Sequence, residues 1–193
     1  MARPERISPG LRGLPWVVAG LAAALAPHVR FLPAWVTLLF VAAAAWRWAA
    51  DRRPWSLPPK WLRVAATLAA TLAVLGTFRT LNGIEAGTAF LALMAAAKLL
   101  ETRGSRDLTV LVFIGYFLLY AALLRDQRLP QLPYLLGVTV FATAALMRVH
   151  AGTAGDSGRD VLRRSATLLL QALPLALLLF VLFPRLPGPF WGI

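Results

Sequence analysis

Apolar windows of membrane-spanning length recur along the whole chain and restrict its fold more than any other feature. Charged or Pro/Gly-rich stretches separate them, and each is near the roughly 17 to 25 residues that an α-helix needs to cross a hydrocarbon core. The windows lie at about 12–27, 31–50, 61–78, 86–102, 108–124, 132–148 and 166–183. The pattern predicts an all-α, polytopic transmembrane helix bundle of about seven spans.

The first two windows leave the number of spans open. Pro27 and Pro33 bracket the short connection "PHVRFLP", so residues 14–50 form either two spans or a re-entrant hairpin. Five or six spans are therefore alternatives to seven. The basic start and short apolar core also resemble a secretory signal peptide, but the apolar windows that follow at once favour a first anchor.

Composition supports a membrane protein and narrows its partners. Hydrophobic residues make up 59% of the 193 residues, and the mean hydropathy is +0.68. The net charge is +12, but the basic residues lie in short clusters between apolar windows. This distribution favours anionic lipid headgroups over nucleic acid as the partner. The sequence contains no cysteine, hence no thiol nucleophile or thiolate metal site, and no pattern in it predicts a cofactor.

The distribution of positive charge predicts the orientation. Fifteen of the twenty lysines and arginines fall in the N-terminal tail and in every second connection, whereas five fall on the other side. Those five are Arg30, Arg79, Arg125, Arg128 and Arg185. Because cytoplasmic loops are enriched in Lys and Arg, we expect a cytoplasmic N-terminus and an external C-terminus. An odd number of spans follows from that orientation.

A cluster of charged residues ends the fourth window, and we call residues 98–107 the charged turn. Its ionisable members are Lys98, Glu101, Arg103, Arg106 and Asp107. Lys98 and Glu101 share a helix face and have a spacing that allows an ion pair. One interpretation is a topogenic turn, in which Lys98 reaches the headgroups and Arg103 and Asp107 match the helix dipoles. The other is a polar network buried between helices.

Three further polar side chains attract attention. His28 and His150 are predicted on opposite sides of the membrane, so they cannot share a metal ion. Gln171 lies near Pro174 in the last window. We expect its amide to hydrogen bond a neighbouring helix or the backbone that the proline leaves unpaired.

Three segments resemble the N-terminal membrane domain of bacterial TgpA-type transglutaminase-like proteins. They are "GIEAGTAFLALMAAAKLLETRGSRD", "FIGYFLLYAALLRDQRL" and "FPRLPGPFWGI". The matching residues are Gly83, Gly87, Lys98, Glu101, Arg103, Arg106, Asp107, Gln127, Pro184, Arg185, Pro187 and Gly188. Where members of that family often have Asp before the fourth span, this chain has Glu85.

The resemblance implies a domain organisation. In that family, membrane spans precede an extracytoplasmic transglutaminase-like domain with a Cys-His-Asp constellation. We therefore expect residues 1–183 to form the transmembrane domain and residues 184–193 to lead out toward a missing domain. Pro184, Arg185, Pro187 and Gly188 form the motif of that exit segment.

The function expected from the resemblance is a non-catalytic domain of a bacterial inner-membrane protein. It would anchor the transglutaminase-like domain, and a regulatory role beside anchoring is left open. No catalytic residue of the family maps onto this chain, so no catalytic, cofactor or metal residue is predicted. The alternative is a small stand-alone transporter or channel-like protein, which would need polar groups around a cavity at mid-membrane.

Overall fold

The computed structural model describes residues 13–52, 59–79, 83–150 and 156–182, and these contain seven α-helices and no strand. The helices are α1 (Leu14–Leu25), α2 (Ala34–Arg52), α3 (Lys60–Phe78), α4 (Ile84–Glu101), α5 (Ser105–Arg125), α6 (Leu132–His150) and α7 (Gly158–Leu182). The predicted all-α class is confirmed. The predicted exit motif, Pro184, Arg185, Pro187 and Gly188, lies outside the described residues, as does the basic N-terminal tail.

Among the described residues, four helical segments are long and apolar enough to cross a membrane. They are Trp61–Phe78, Ser105–Arg125, Leu129–His150 and Gly158–Leu182. Length and composition therefore indicate a membrane protein. The seven-span count and the orientation stay predictions.

The shortest helix, α1, lies at the centre of the bundle between α5 and α6. Its 12 residues bury Leu14, Val17, Leu21 and Ala24, which recur at helical spacing along one face. The most extensive contacts of α2 are with α4. The helices α1 and α2 therefore do not pair with each other as a tight hairpin would.

Helix α4 organises the other half of the bundle, where it contacts α2, α3 and α5. Ala89, Ala92, Ala95 and Ala96 are buried at these contacts. Small side chains let helix backbones approach closely, which is how helices associate when lipid removes the hydrophobic driving force.

Helix α7 begins eight residues before the predicted window, because its first turn is capped. The hydroxyl of Ser157 accepts the N–H of Asp160 at 3.2 Å, as an N-cap side chain does, and donates to the Asp160 carboxylate at 2.7 Å. The Ser165 hydroxyl donates to the carbonyl of Val140 on α6 at 2.7 Å. Beyond Ser165, α7 is almost entirely exposed.

Successive helices run in opposite directions, so the bundle has two ends. At the Trp16 end, the guanidinium of Arg148 lies 4.8 Å from the centre of the Trp16 ring, joining the last turn of α6 to the start of α1. At the His28 end, the start of α4 meets the end of α5 through Glu85 and Arg125. These contacts join α6 to α1 at one end of the bundle and α4 to α5 at the other.

Candidate functional site

The charged turn joins α4 to α5 at the Trp16 end and is held by one carboxylate. The Lys98 ammonium lies 2.7 Å from Oδ1 of Asp107, and both side chains are partly exposed. The backbone N–H of Arg103 donates to Oδ2 of the same carboxylate at 3.0 Å. Asp107 thus ties the last turn of α4 to the first turn of α5. This ion pair differs from the Lys98–Glu101 pair that the sequence suggested.

Two further donors hold the C-terminus of α4. The buried hydroxyl of Thr102 donates to the Lys98 carbonyl at 2.8 Å. From α3, the guanidinium of Arg63 donates to the Leu100 carbonyl at 3.1 Å. The last four carbonyls of a helix lack intrahelical partners and carry partial negative charge, so a cation is stabilising there. The turn is therefore fixed from three helices.

The remaining predicted members of the charged turn point away from this contact. The side chains of Glu101, Arg103 and Arg106 are exposed. The structure therefore brings together Lys98, Asp107 and the backbone of Arg103, and leaves the other charges at the surface. A role for this set beyond holding the turn stays a prediction.

The His28 end contains contacts that the sequence analysis missed. His28 is 2% exposed, and its Nε2 lies 2.9 Å from the Leu118 carbonyl of α5. Arg125 contacts Glu85 at 2.8 Å, and its guanidinium lies 3.6 Å from the centre of the Phe31 ring. The partners are far apart in sequence, so no local spacing reveals them. The one local feature that could have indicated the pair is that Glu85 lies at a helix N-terminus and Arg125 at a helix C-terminus, where each charge matches the helix dipole.

The arrangement of titratable groups favours structural roles. His28 and His150 lie at opposite ends of the bundle, since His28 contacts the Leu118 carbonyl toward the end of α5 and His150 contacts Thr109 at 3.3 Å in its first turns. Within the part of the chain that the structure describes, no three His, Cys, Asp or Glu side chains are grouped to hold a metal ion. These charged side chains form ion pairs between consecutive helices and compensate the partial charges at the helix ends.

The fold and these contacts define a class: an all-α bundle with helices fit to cross a membrane and with ion pairs between its helix ends. The chain belongs to the TgpA N-terminal domain family, which matches residues 16–193. The resemblance seen in the sequence is thereby confirmed.

One curated relative is much longer than this chain. The chain is 36% identical over 181 residues to a protein-glutamine gamma-glutamyltransferase from Pseudomonas aeruginosa. The match covers 93% of this chain but only 27% of that relative. The chain therefore spans about a quarter of the relative's length, as one domain of a transglutaminase-like protein does. No solved structure matches the chain significantly.

Proposed function

We propose that this domain anchors a transglutaminase-like domain at the extracytoplasmic face of a bacterial inner membrane. The observation that carries the proposal is the match to 27% of a gamma-glutamyltransferase by a chain rich in membrane-length helices. A short apolar segment of a large enzyme is suited to holding the remainder at a membrane. The segment 184–193 would connect the last span to that remainder.

The positions of the basic residues support the orientation. Among the side chains that the structure describes, nine Lys and Arg lie toward the Trp16 end and four lie at the His28 end. The Trp16 end is therefore the cytoplasmic one under the positive-inside rule. Seven antiparallel spans would then place the N-terminus inside and the C-terminus outside.

The chemistry of the parent protein belongs to the part beyond this domain. A transglutaminase-like centre uses a base-activated cysteine that attacks an amide carbonyl and forms an acyl-enzyme. The 193 residues contain no cysteine. This domain thus determines where the reaction takes place, because it restricts the catalytic domain to substrates within reach of the membrane surface.

Reporter fusions test the proposal. Alkaline phosphatase, active only outside the cytoplasm, and a fluorescent protein that folds only inside are each fused after Ile193. We expect phosphatase activity without fluorescence. Matched fusions after Gly155, in the connection between α6 and α7, should report the opposite face. A cytoplasmic report after Ile193 would refute the anchoring geometry.

A further inference from the structure

A cavity of about 470 Å³ opens at the His28 end. One wall is formed by residues 26–31, which follow α1, and the other by residues 122–134, around the connection from α5 to α6. Small-molecule sites usually measure about 300–1,000 Å³, so the cavity has room for a ligand of headgroup size. Nothing assigned to the domain so far uses it.

Positive charge dominates the lining. Arg30, Arg125 and Arg128 all line the cavity, and Asp126 is the one carboxylate among its lining residues. Arg125 is already compensated by Glu85 at 2.8 Å, and Arg128 lies 3.5 Å from Asp126. Arg30 is exposed and has no ion-pair partner among the described residues. The guanidinium of Arg30 therefore brings a positive charge to the cavity that is free to pair with an anion.

The arginines at the His28 end are concentrated at this cavity. Four described arginines lie at the His28 end, and all but Arg79 line the cavity. Arg125 and Arg128 pair with Glu85 and Asp126, so Arg30 supplies the positive charge at the cavity that no carboxylate among the described residues compensates.

We propose that the cavity binds a phosphate group, carried either by a phospholipid headgroup or by a free phosphate-bearing molecule. Guanidinium groups present forked donors that match phosphate oxygens. The Gln131 amide adds a neutral donor within the lining. Phe31 and Tyr134 border the same cavity, and aromatic rings are typical of the headgroup level. The inference rests on the proposed function only where the phosphate comes from a lipid of the outer leaflet.

A binding experiment separates the two sources. The purified full chain in detergent is titrated with dihexanoyl phosphatidylglycerol, with inorganic phosphate and with dihexanoylglycerol, and the rise in Tm gives each Kd. Binding of the phospholipid alone assigns the site to a headgroup, whereas binding of both phosphates shows that the phosphate group suffices. Equal binding of the phosphate-free lipid, or no binding at all, overturns the proposal.

Matched variants locate the site. The double variant Arg30→Gln with Arg128→Gln should raise the Kd about tenfold or more, since it removes the unpaired guanidinium of Arg30 and a second one that lies 3.5 Å from Asp126. The control is Arg79→Asn, which removes one charge at the same end and keeps a residue that tolerates the left-handed φ of 54° found there. An unchanged Kd in the double variant would refute the site.

A measurement on the unchanged chain covers the case in which the double variant does not fold. Phenylglyoxal modifies accessible arginines, and peptide mass spectrometry follows each one. Saturating dihexanoyl phosphatidylglycerol or inorganic phosphate, whichever binds in the titration, should slow modification of Arg30 and Arg128 and leave Arg79 unaffected. Equal rates with and without ligand would overturn the proposal. Neither assay depends on orientation, so an unexpected fusion result would refute the anchoring geometry and leave the phosphate site standing.

Discussion

Helices α1 and α7 are both strongly apolar, yet they occupy opposite environments. The 12 residues of α1 pack between α5 and α6 and bury a continuous face. The 25 residues of α7 contact the bundle near Val161 and Ser165, and the turns beyond are almost wholly exposed. A helix of 12 residues spans about 18 Å, well short of a hydrocarbon core of about 30 Å, whereas α7 reaches about 37 Å.

The difference shows that the hydropathy of a helix does not indicate whether the helix packs against protein or faces lipid. Lipid tails are as apolar as leucine, so an apolar side chain is equally suited to lipid and to a protein core. What separates α1 from α7 is shape, because the face of α1 fits closely against its neighbours. Leu21, for example, packs beside Gly115 of α5, where a Cβ atom added to the glycine would lie 3.7 Å from Leu21 Cδ2, an ordinary van der Waals distance.

The largest expected effect comes from cutting one leucine on each helix. Leu21→Ala should lower the free energy of unfolding by about 2–5 kcal/mol, because a cavity remains where the side chain packed. Leu178→Ala on α7 is the matched control and should be nearly neutral, since Leu178 is 60% exposed and Leu21 is 1% exposed. Unfolding by SDS in mixed micelles measures both. Equal losses would break the contrast between the two helices.

The charged turn shows a similar contrast, because Asp107 pairs with Lys98 and Glu101 does not. A double-mutant cycle of Lys98→Ala with Asp107→Ala should show a coupling of about 0.5–1 kcal/mol, as for a partly exposed ion pair. The matched cycle of Lys98→Ala with Glu101→Ala should show additive effects. Thermal unfolding in detergent provides the data. Coupling to Glu101 in place of Asp107 would contradict the observed ion pair.

A hydrogen bond to α1 gives a smaller effect. The Tyr134 hydroxyl donates to the Ala23 carbonyl at 2.7 Å. Tyr134→Phe should cost about 0.6 kcal/mol, the average for a hydrogen bond between membrane helices. Tyr120→Phe is the control, because Tyr120 on α5 is 59% exposed and has no hydroxyl partner among the described residues. Equal costs measured by the same unfolding assay would show that the bond contributes nothing.

The smallest expected effect tests the free face of α7. Gln171 is exposed and makes no side-chain hydrogen bond with the described residues, in contrast to the bond expected from the sequence. Gln171→Leu should leave stability unchanged or slightly raise it, since an amide facing lipid is unfavourable. Leu170→Ile, at a neighbouring exposed position, is the control. A clear loss of stability with Gln171→Leu alone would reveal a partner helix on α7.

The sequence by itself determined the helices and the family. Seven apolar windows became seven helices in the described residues, since the length and composition of each window suffice to predict a helix. The segments around Lys98 and Arg125 indicated the TgpA N-terminal domain, which the family match confirms. The polar start of α7 was not predicted, because the apolar window begins only at residue 166, whereas the helix begins at Gly158.

Only the tertiary structure decided the partners. Within the charged turn, Lys98 and Glu101 have the right spacing on one helix, yet the reversal of the chain brings Asp107 to the ammonium. The Arg30 cavity depends on two connections almost a hundred residues apart along the chain. Periodicity specifies which face of a helix is apolar. It does not specify what covers that face, because the choice between protein and lipid depends on how well distant side chains fit together.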